Sequence, residues 1–350
     1  MRAGKPRVFV TQSVSAHALK RLRTAANVTV FPDTSRIIPK PALIKAVRQA
    51  DILFCLLHDL IDRDVIDANP DLRLIAAQSI TPSNIDVTTA TARRIPVTVT
   101  APLTTEATAD LTFGLMLAAA RRMVEGDRLT RAGKFPGGQS AHVMGAYVWG
   151  KTVGLIGGGG LIGKAVARRA LGFSMRVLYW TPRRKSEHEE REAHLTYVPF
   201  EQLLRESDFV SVHSPLNKET RHQIGARELR LMKKTAYIVN TARGPIIDID
   251  ALYDAMQANV VLAAGLDVLP DEPANTQKKL IAGAGLDVFE REPKVNAALK
   301  KMPNVVLTPH LGSAVPEVRE AMANMVVDNI LALIGGHKLP NCVNPQVFAL

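Results

Sequence analysis

Thr152-Val153-Gly154-Leu155-Ile156-Gly157-Gly158-Gly159-Gly160-Leu161-Ile162-Gly163 is the stretch on which the fold turns. Its first five residues have the apolar character of a buried strand, and Ala165 to Leu171 beyond it has that of a helix. Between them, Gly158, Gly160 and Gly163 satisfy the spacing G-x-G-x-x-G. Glycine there permits a tight strand-to-helix turn. It also lets backbone N–H groups and a helix N-terminus, opening at Leu161 and Ile162, approach a pyrophosphate. Alone, the spacing also describes a merely flexible glycine loop. Framed by a strand and a helix, it predicts a dinucleotide site.

Outward from this turn the same grammar recurs. Arg176 to Tyr179, Phe209 to Val212, Ala236 to Val239 and Val305 to Leu307 read as further strands separated by amphipathic stretches. An earlier series includes Val8 to Val10, Asp51 to Phe54 and Leu74 to Ala77. Strands alternating with helices are the sequence form of a parallel sheet covered by helices. Two such series in 350 residues predict an α/β protein of two domains. The alanine-rich Ala107 to Arg122 carries apolar positions on several faces, which suits a helix buried between domains or subunits. Together with a helix near Val315 to Ile334, it supplies the two crossings of a chain that leaves its first domain and returns. The expected division is 1–102 with 317–350, and 103–316.

Composition narrows the function. The chain is 47% hydrophobic and 22% charged, which argues for a globular protein over a disordered one. No run approaches the ~18 apolar residues of a membrane helix, and no apolar leader precedes Val8-Phe9-Val10, so no membrane partner is expected. Cys55 and Cys342 make no metal or redox spacing and fit a reduced, cytoplasmic chain. His188 and His194 sit in a Glu/Arg-rich stretch with the look of a solvated helix, and no metal is expected. The net charge of +11 comes from Lys and Arg scattered among acids, with five Tyr and two Trp to stack bases. That balance suits an anionic substrate and a phosphate-rich cofactor better than nucleic acid.

The second strand of the later series ends in Trp180-Thr181-Pro182-Arg183-Arg184-Lys185. An NAD-type site places Asp or Glu about 20 residues past the glycines, on the ribose 2′-hydroxyl. Thr181 stands 18 positions after Gly163, and no acid is near it in sequence. Arg183 and Arg184 are suited to a 2′-phosphate instead, which favours NADP(H) while leaving NAD open. The plain alternative is a solvated basic turn.

These phrases fall in order with His213-Ser214-Pro215-Leu216, Asn240-Thr241-Ala242-Arg243-Gly244-Pro245, Gly285 to Pro293 and Leu307-Thr308-Pro309-His310-Leu311-Gly312-Ser313-Ala314. Together they resemble the D-isomer-specific 2-hydroxyacid dehydrogenases, especially the glyoxylate/hydroxypyruvate reductase branch. The likeness covers nearly the whole chain and is most specific from 150 to 315. It implies two doubly wound parallel-sheet domains, one flavodoxin-like and one Rossmann, with a cleft between them. It also implies a homodimer formed through the Ala107 helix and the arm after it. The implied reaction reduces a small 2-keto acid to its D-2-hydroxy acid. Rival readings are another family member, such as a 3-phosphoglycerate dehydrogenase, or a dinucleotide-sensing protein like the family's corepressors.

The resemblance further implies a catalytic trio. Arg243 would hold the substrate carboxylate and polarise its carbonyl, a task for a planar cation. His310 would protonate the ketone oxygen as hydride arrives, and a neighbouring glutamate would favour the imidazolium. Asp287 or Asp267 would meet the nicotinamide amide. Thr108, Thr241 and Ala242 would line the nicotinamide end, with His213, Ser214, Pro215, Thr220 and Gly312 also in the cofactor site. Ile80 and Thr81, in the loop Ser79 to Asp86, would meet the substrate. Thr81 stands where the family has glycine, and Pro82 removes a backbone donor.

A second departure from the family is an internal repeat. Ala263 to Pro273, containing Gly265-Leu266-Asp267-Val268, is echoed 20 residues later by Gly283 to Pro293, containing Gly285-Leu286-Asp287-Val288. One copy alone can fill the strand place beside Thr235 to Thr241. Glu272 has the family's spacing from Arg243, 29 positions, whereas Glu292 has its spacing to His310, 18 positions. Active-site geometry must be held to about half an ångström, and the second copy runs into His310 without interruption. Glu292 is therefore preferred over Glu272 as the histidine's partner, the surplus falling after Asn259.

Overall fold

The computed structural model describes residues 4–257 and 281–349. The chain divides into two compact units, Met1–Thr104 with Ala314–Leu350, and Thr105–Ser313. Among the described residues no helix is long and apolar enough to cross a membrane.

The first unit holds β1 (Arg7–Val10), β2 (Asn27–Val30), β3 (Ile52–Leu56), β4 (Leu74–Gln78) and β5 (Val97–Thr98). They form one parallel sheet in the order β2-β1-β3-β4-β5. Successive residues of a strand point to opposite faces. Val8, Val10, Ile52, Phe54 and Leu74 accordingly meet Leu19, Leu22, Val326 and Ile330. Phe9, Leu53, Cys55, Ile75 and Ala77 meet Leu43, Val47, Val65 and Ile66 on the other side. Both faces are buried, so the strands read as continuous apolar runs. Val326 and Ile330 belong to the Pro316–Ile334 helix, so the chain's return completes the cover of a sheet begun at its other end.

The second unit holds β6 (Thr152–Ile156), β7 (Arg176–Trp180), β8 (Thr196–Tyr197), β9 (Phe209–Val212), β10 (Tyr237–Asn240), β11 (Gly283–Leu286) and β12 (Val305–Leu307). Their order is β12-β11-β10-β9-β6-β7-β8, all parallel. The direction of winding reverses between β6 and β9, the point at which open α/β sheets bind ligands. Leu155, Tyr179, Phe209 and Val239 face Phe113, Met116, Val166 and Ala170. Ile156, Leu178, Val210, Ile238 and Leu286 face Leu203, Leu229, Leu252 and Met256.

The alanine-rich helix, Thr105–Ala120, buries several of its apolar faces within its own unit. It is covered within the second unit, against the Leu161–Gly172 helix and against β10 to β12. The approach is so close that a Cβ on Gly285 would lie 2.9 Å from Leu115 Cβ. β2, β5 and β8 leave no clear mark in the sequence; they are short sheet edges, and β2 and β8 are only half-buried, so none offers a long apolar run. β11 is made by the second copy of the repeat, with Val239 opposite Gly285. The first copy, with Asp267 and Glu272, lies outside the described residues.

Candidate active site

The glycine turn leaves β6 at its carboxyl end, where Gly157 adopts φ +83°. A Cβ at Gly157 would meet Ser214 N at 2.7 Å, and one at Gly163 would meet Gly158 Cα at 2.5 Å. Both contacts are with backbone that cannot yield, so glycine is required there. A Cβ at Gly158 would strike Leu155 Cβ and Tyr179 Cβ, both at 2.7 Å. Gly160 is the N-cap of the Leu161–Gly172 helix and offers no side chain, leaving the first-turn N–H groups at Leu161 and Ile162 for a ligand. Leu161 is 60% exposed, which is unusual for leucine beside a buried strand. This cradle fits a pyrophosphate.

His213 and Ser214 form the facing wall, fixed by His213 N–H donating to Ile156 O at 2.8 Å. The His213 ring bonds Ser211 Oγ through Nε2 at 2.9 Å. The residue is half-buried. Burial pushes it down to about 4, so it is neutral near pH 7. Pro215 is exposed and follows in the same turn. Thr220 is buried, and its hydroxyl donates to Pro215 O at 2.6 Å, so it closes that turn from inside.

At the end of β7, Thr181 Oγ donates to Arg183 O at 2.7 Å, and the Arg183 side chain is exposed. Arg184 has an acidic partner that the sequence did not suggest. Its Nε and Nη2 donate to the two oxygens of Glu190, each at 2.8 Å. No acid is near Thr181 in sequence, yet the fold brings one to the arginine pair. The Glu187–Glu192 helix is likewise not wholly solvated, because Glu190 is buried.

The proposed catalytic residues converge from three segments of the second unit. Asn240 organises the first, its amide donating to Arg243 O at 3.0 Å and its oxygen accepting Ala242 N–H at 3.0 Å. Nothing in the local sequence marks Asn240 for this task, because its burial at the end of β10 comes from distant segments. Arg243 is half-buried, donates to Ala242 O at 2.7 Å, and desolvation lowers its pKa while Glu292 opposes that shift. A Cβ on Gly244 would lie 2.2 Å from Phe289 C, so the arginine turn rests directly on the segment that carries Glu292.

Glu292 Oε1 accepts Phe289 N–H at 2.8 Å, and Oε2 bonds His310 Nδ1 at 2.8 Å. Asp287, fully buried, accepts Thr308 Oγ at 2.7 Å, Leu311 N–H at 2.7 Å and Gly312 N–H at 3.1 Å. It thus anchors the histidine loop. Thr108 Oγ donates to Gly312 O at 3.1 Å, and Thr112 Oγ lies 2.9 Å from Thr241 Oγ. The Thr105–Ala120 helix is thereby tied to the same end of the sheet.

In the first unit, Ser79 Oγ donates to Thr81 O at 2.8 Å, and Thr81 is exposed after half-buried Ile80. Asp59, missed in the sequence, is buried nearby at the end of β3, where it accepts Thr11 Oγ and Leu56 N–H. Burial raises its pKa against those bonds.

A family model described as "D-isomer specific 2-hydroxyacid dehydrogenase, NAD binding domain" matches residues 113–282 and 275–312. A glyoxylate reductase of Thermococcus litoralis is 42% identical over 347 residues, 98% of each chain. The chain belongs to the D-isomer-specific 2-hydroxyacid dehydrogenases. It is an NAD(P)-dependent dehydrogenase whose relatives include glyoxylate reductases of several Thermococcus species. Among solved structures, a Thermus thermophilus protein aligns with TM-score 0.83 at 38% identity, covering 96% of this chain and 99% of its own. An NADPH-dependent glyoxylate/hydroxypyruvate reductase from Sinorhizobium meliloti, crystallised with citrate, aligns with TM-score 0.77 at 28% identity, covering 97% and 99%. Within this dehydrogenase, the two family-model matches take in one copy of the repeat each.

Proposed function

We propose that the protein is an NADPH-dependent reductase of glyoxylate-type 2-keto acids, hydroxypyruvate included, yielding the D-2-hydroxy acid. The observation that carries this reading is the Glu292–His310 pair, 2.8 Å long, beside an Arg243 turn seated on the same segment. NADPH, when bound, supplies the hydride. Arg243 holds the substrate carboxylate and polarises the ketone. His310 gives a proton from Nε2 to the ketone oxygen and recovers it in the oxidation direction. Glu292, itself fixed by Phe289 N–H, keeps Nδ1 pointed at a carboxylate, so the ring's orientation is set before substrate arrives. Asp287 has a remaining lone pair for the nicotinamide amide, beside Thr108, Thr241 and Ala242. Ile80 and Thr81 are the proposed substrate-loop residues, with the Thr81 N–H as donor.

Arg183 supports the NADPH preference as an exposed cation beside the ribose end of the cradle. Homodimerisation is part of the proposal and has independent support. Met123, Phe135, Met144, Tyr147 and Trp149 are all more than half exposed along one arm, an apolar surface a monomer rarely leaves to water. Free thiols at Cys55 and Cys342 suit the reducing cytoplasm. A keto-acid panel assayed with both cofactors tests the reading. Glyoxylate or hydroxypyruvate with NADPH is expected to give the highest kcat/KM. Tight dinucleotide binding without turnover of any keto acid would replace the enzyme reading with that of a sensor.

A further inference from the structure

The three cations after β7 stand in three different situations. Arg184 has both prongs of its guanidinium on Glu190, and lies over the Tyr197 ring at 5.6 Å. Lys185 lays its stem across the glycine turn, where a Cβ on Gly159 would come within 2.7 Å of Lys185 Cε, and its Nζ is 3.7 Å from Glu189. Arg183 is exposed and has no side-chain partner among the described residues. Resting on the NADPH reading above, we propose that Glu190 is a positioning residue for the cofactor's 2′-phosphate, holding Arg184 and the turn so that Arg183 meets that phosphate.

Glu190 is the one buried residue of the Glu187–Glu192 helix. Tyr179 OH donates to its Oε1 at 2.7 Å and accepts Lys185 N–H at 2.9 Å. One carboxylate therefore fixes the Arg184 side chain directly and the Lys185 backbone through a single hydroxyl. Thr181 fixes the carbonyl of Arg183 from the other side, at 2.7 Å. The backbone from the Arg183 carbonyl to the Lys185 N–H is thus tied down while the Arg183 side chain is left to a ligand. A bare anion here would repel a phosphate. Two-pronged pairing with Arg184 neutralises it, and a phosphate that recruited Arg184 would have to strip that carboxylate of its partner. Arg184 is consequently framework, and the reading of Arg183 and Arg184 as equal phosphate ligands is replaced by a division of labour.

The two assignments predict opposite signs for one substitution. If Arg184 were the phosphate ligand and Glu190 its competitor, Glu190→Gln would release the arginine and tighten NADP⁺. If Glu190 positions the turn, the same change loosens NADP⁺. Dissociation constants for NADP⁺ and NAD⁺, measured by calorimetry on the purified full-length protein, separate them without reference to turnover. Arg183→Gln is expected to weaken NADP⁺ about tenfold and leave NAD⁺ within about twofold, the loss of one charge-assisted contact. Glu190→Gln, Arg184→Gln and the double variant are each expected to weaken NADP⁺ by about threefold, the double no more than either single, because partners of one network are not additive.

A melting curve gives a second measurement. Arg184 and Tyr179 hold the Glu190 carboxyl down at about 2, below its ordinary 4.5. Its stabilisation is therefore complete above 4.5 and lost as pH falls toward 2, so the melting deficit of Glu190→Gln should close over that window. Tighter NADP⁺ binding by Glu190→Gln, or a tenfold loss in Arg184→Gln matching Arg183→Gln, would overturn the assignment while leaving the NADPH reading intact. Equal affinity of the unaltered protein for both cofactors would overturn both.

Discussion

His310 adopts φ +57°, a left-handed conformation that costs a non-glycine residue roughly 1 kcal/mol or more. The conformation persists because its surroundings over-determine it. Asp287 accepts the N–H groups of the next two residues, and its carbonyl accepts the N–H of His310 itself, at 2.9 Å. The consequence is an imidazole aimed back at Glu292 across 2.8 Å. His310→Ala is expected to reduce turnover by about 10²–10⁴, the usual weight of a general acid, with the NADP⁺ dissociation constant nearly unchanged. Glu292→Gln should lower turnover and alter its pH dependence, while Glu272→Gln should do neither. Steady-state pH profiles of both variants check this; a silent Glu292→Gln would show that another group serves the histidine. Of these residues, Arg243 and His310 were legible because each sits in a distinctive phrase. Asn240, Asp59 and Glu190 were not, because what singles them out is burial, which arises from distant segments.

At the scale of elements, the site depends on backbones that touch. The Arg243 turn and the Glu292 segment meet where Gly244 faces Phe289 and Glu290, so that a Cβ on Gly244 would lie 2.2 Å and 2.5 Å from their backbone atoms. Gly244→Ala must push the segments apart. Overpacking of this kind costs about 1–3 kcal/mol and here displaces Arg243 from the Glu292–His310 pair. The melting temperature should fall by several degrees, and kcat should fall more than cofactor affinity. Gly114→Ala is the control, since a Cβ there meets nothing within 4 Å and alanine favours a helix interior. If Gly244→Ala behaves like the control, the contact is not what holds the two segments in register. The same logic explains what could be read of the fold. Gly157 and Gly163 are forced by backbone contact and Gly158 by the Cβ atoms of Leu155 and Tyr179, so the strand–turn–helix unit shows in the sequence. The edge strands β2 and β8 bury little and leave no comparable mark.

For the whole molecule, the repeat poses a question of register. Residues 258–282 join the Ile249–Gln257 helix to β11 at Gly283. Removing 263–282 would erase the first copy and leave a connection of about five residues, an ordinary length between a helix and a strand. The shorter loop is favoured by only about 1 kcal/mol in closure entropy, so stability should stay level or rise slightly. Glu292, Asp287 and the histidine loop are untouched, and the relatives that align over nearly their full length are matched on both sides of the excision. The deletion variant is therefore expected to fold, to bind NADP⁺ as before and to turn over within about twofold of the intact chain, since tolerated insertions concentrate away from the chemistry. Loss of turnover with folding intact would show that 263–282 contributes to the site. The reciprocal deletion, of residues 274–293, removes the second copy and sets Glu272 18 positions before His310, the separation that Glu292 now has. Leu269 and Pro270 then stand where Phe289 and Glu290 pack against Gly244, so this variant should fold less stably and recover part of the turnover. In that background alone, Glu272→Gln should become damaging. If Glu272→Gln is silent there too, spacing to His310 is not what makes one copy the working strand.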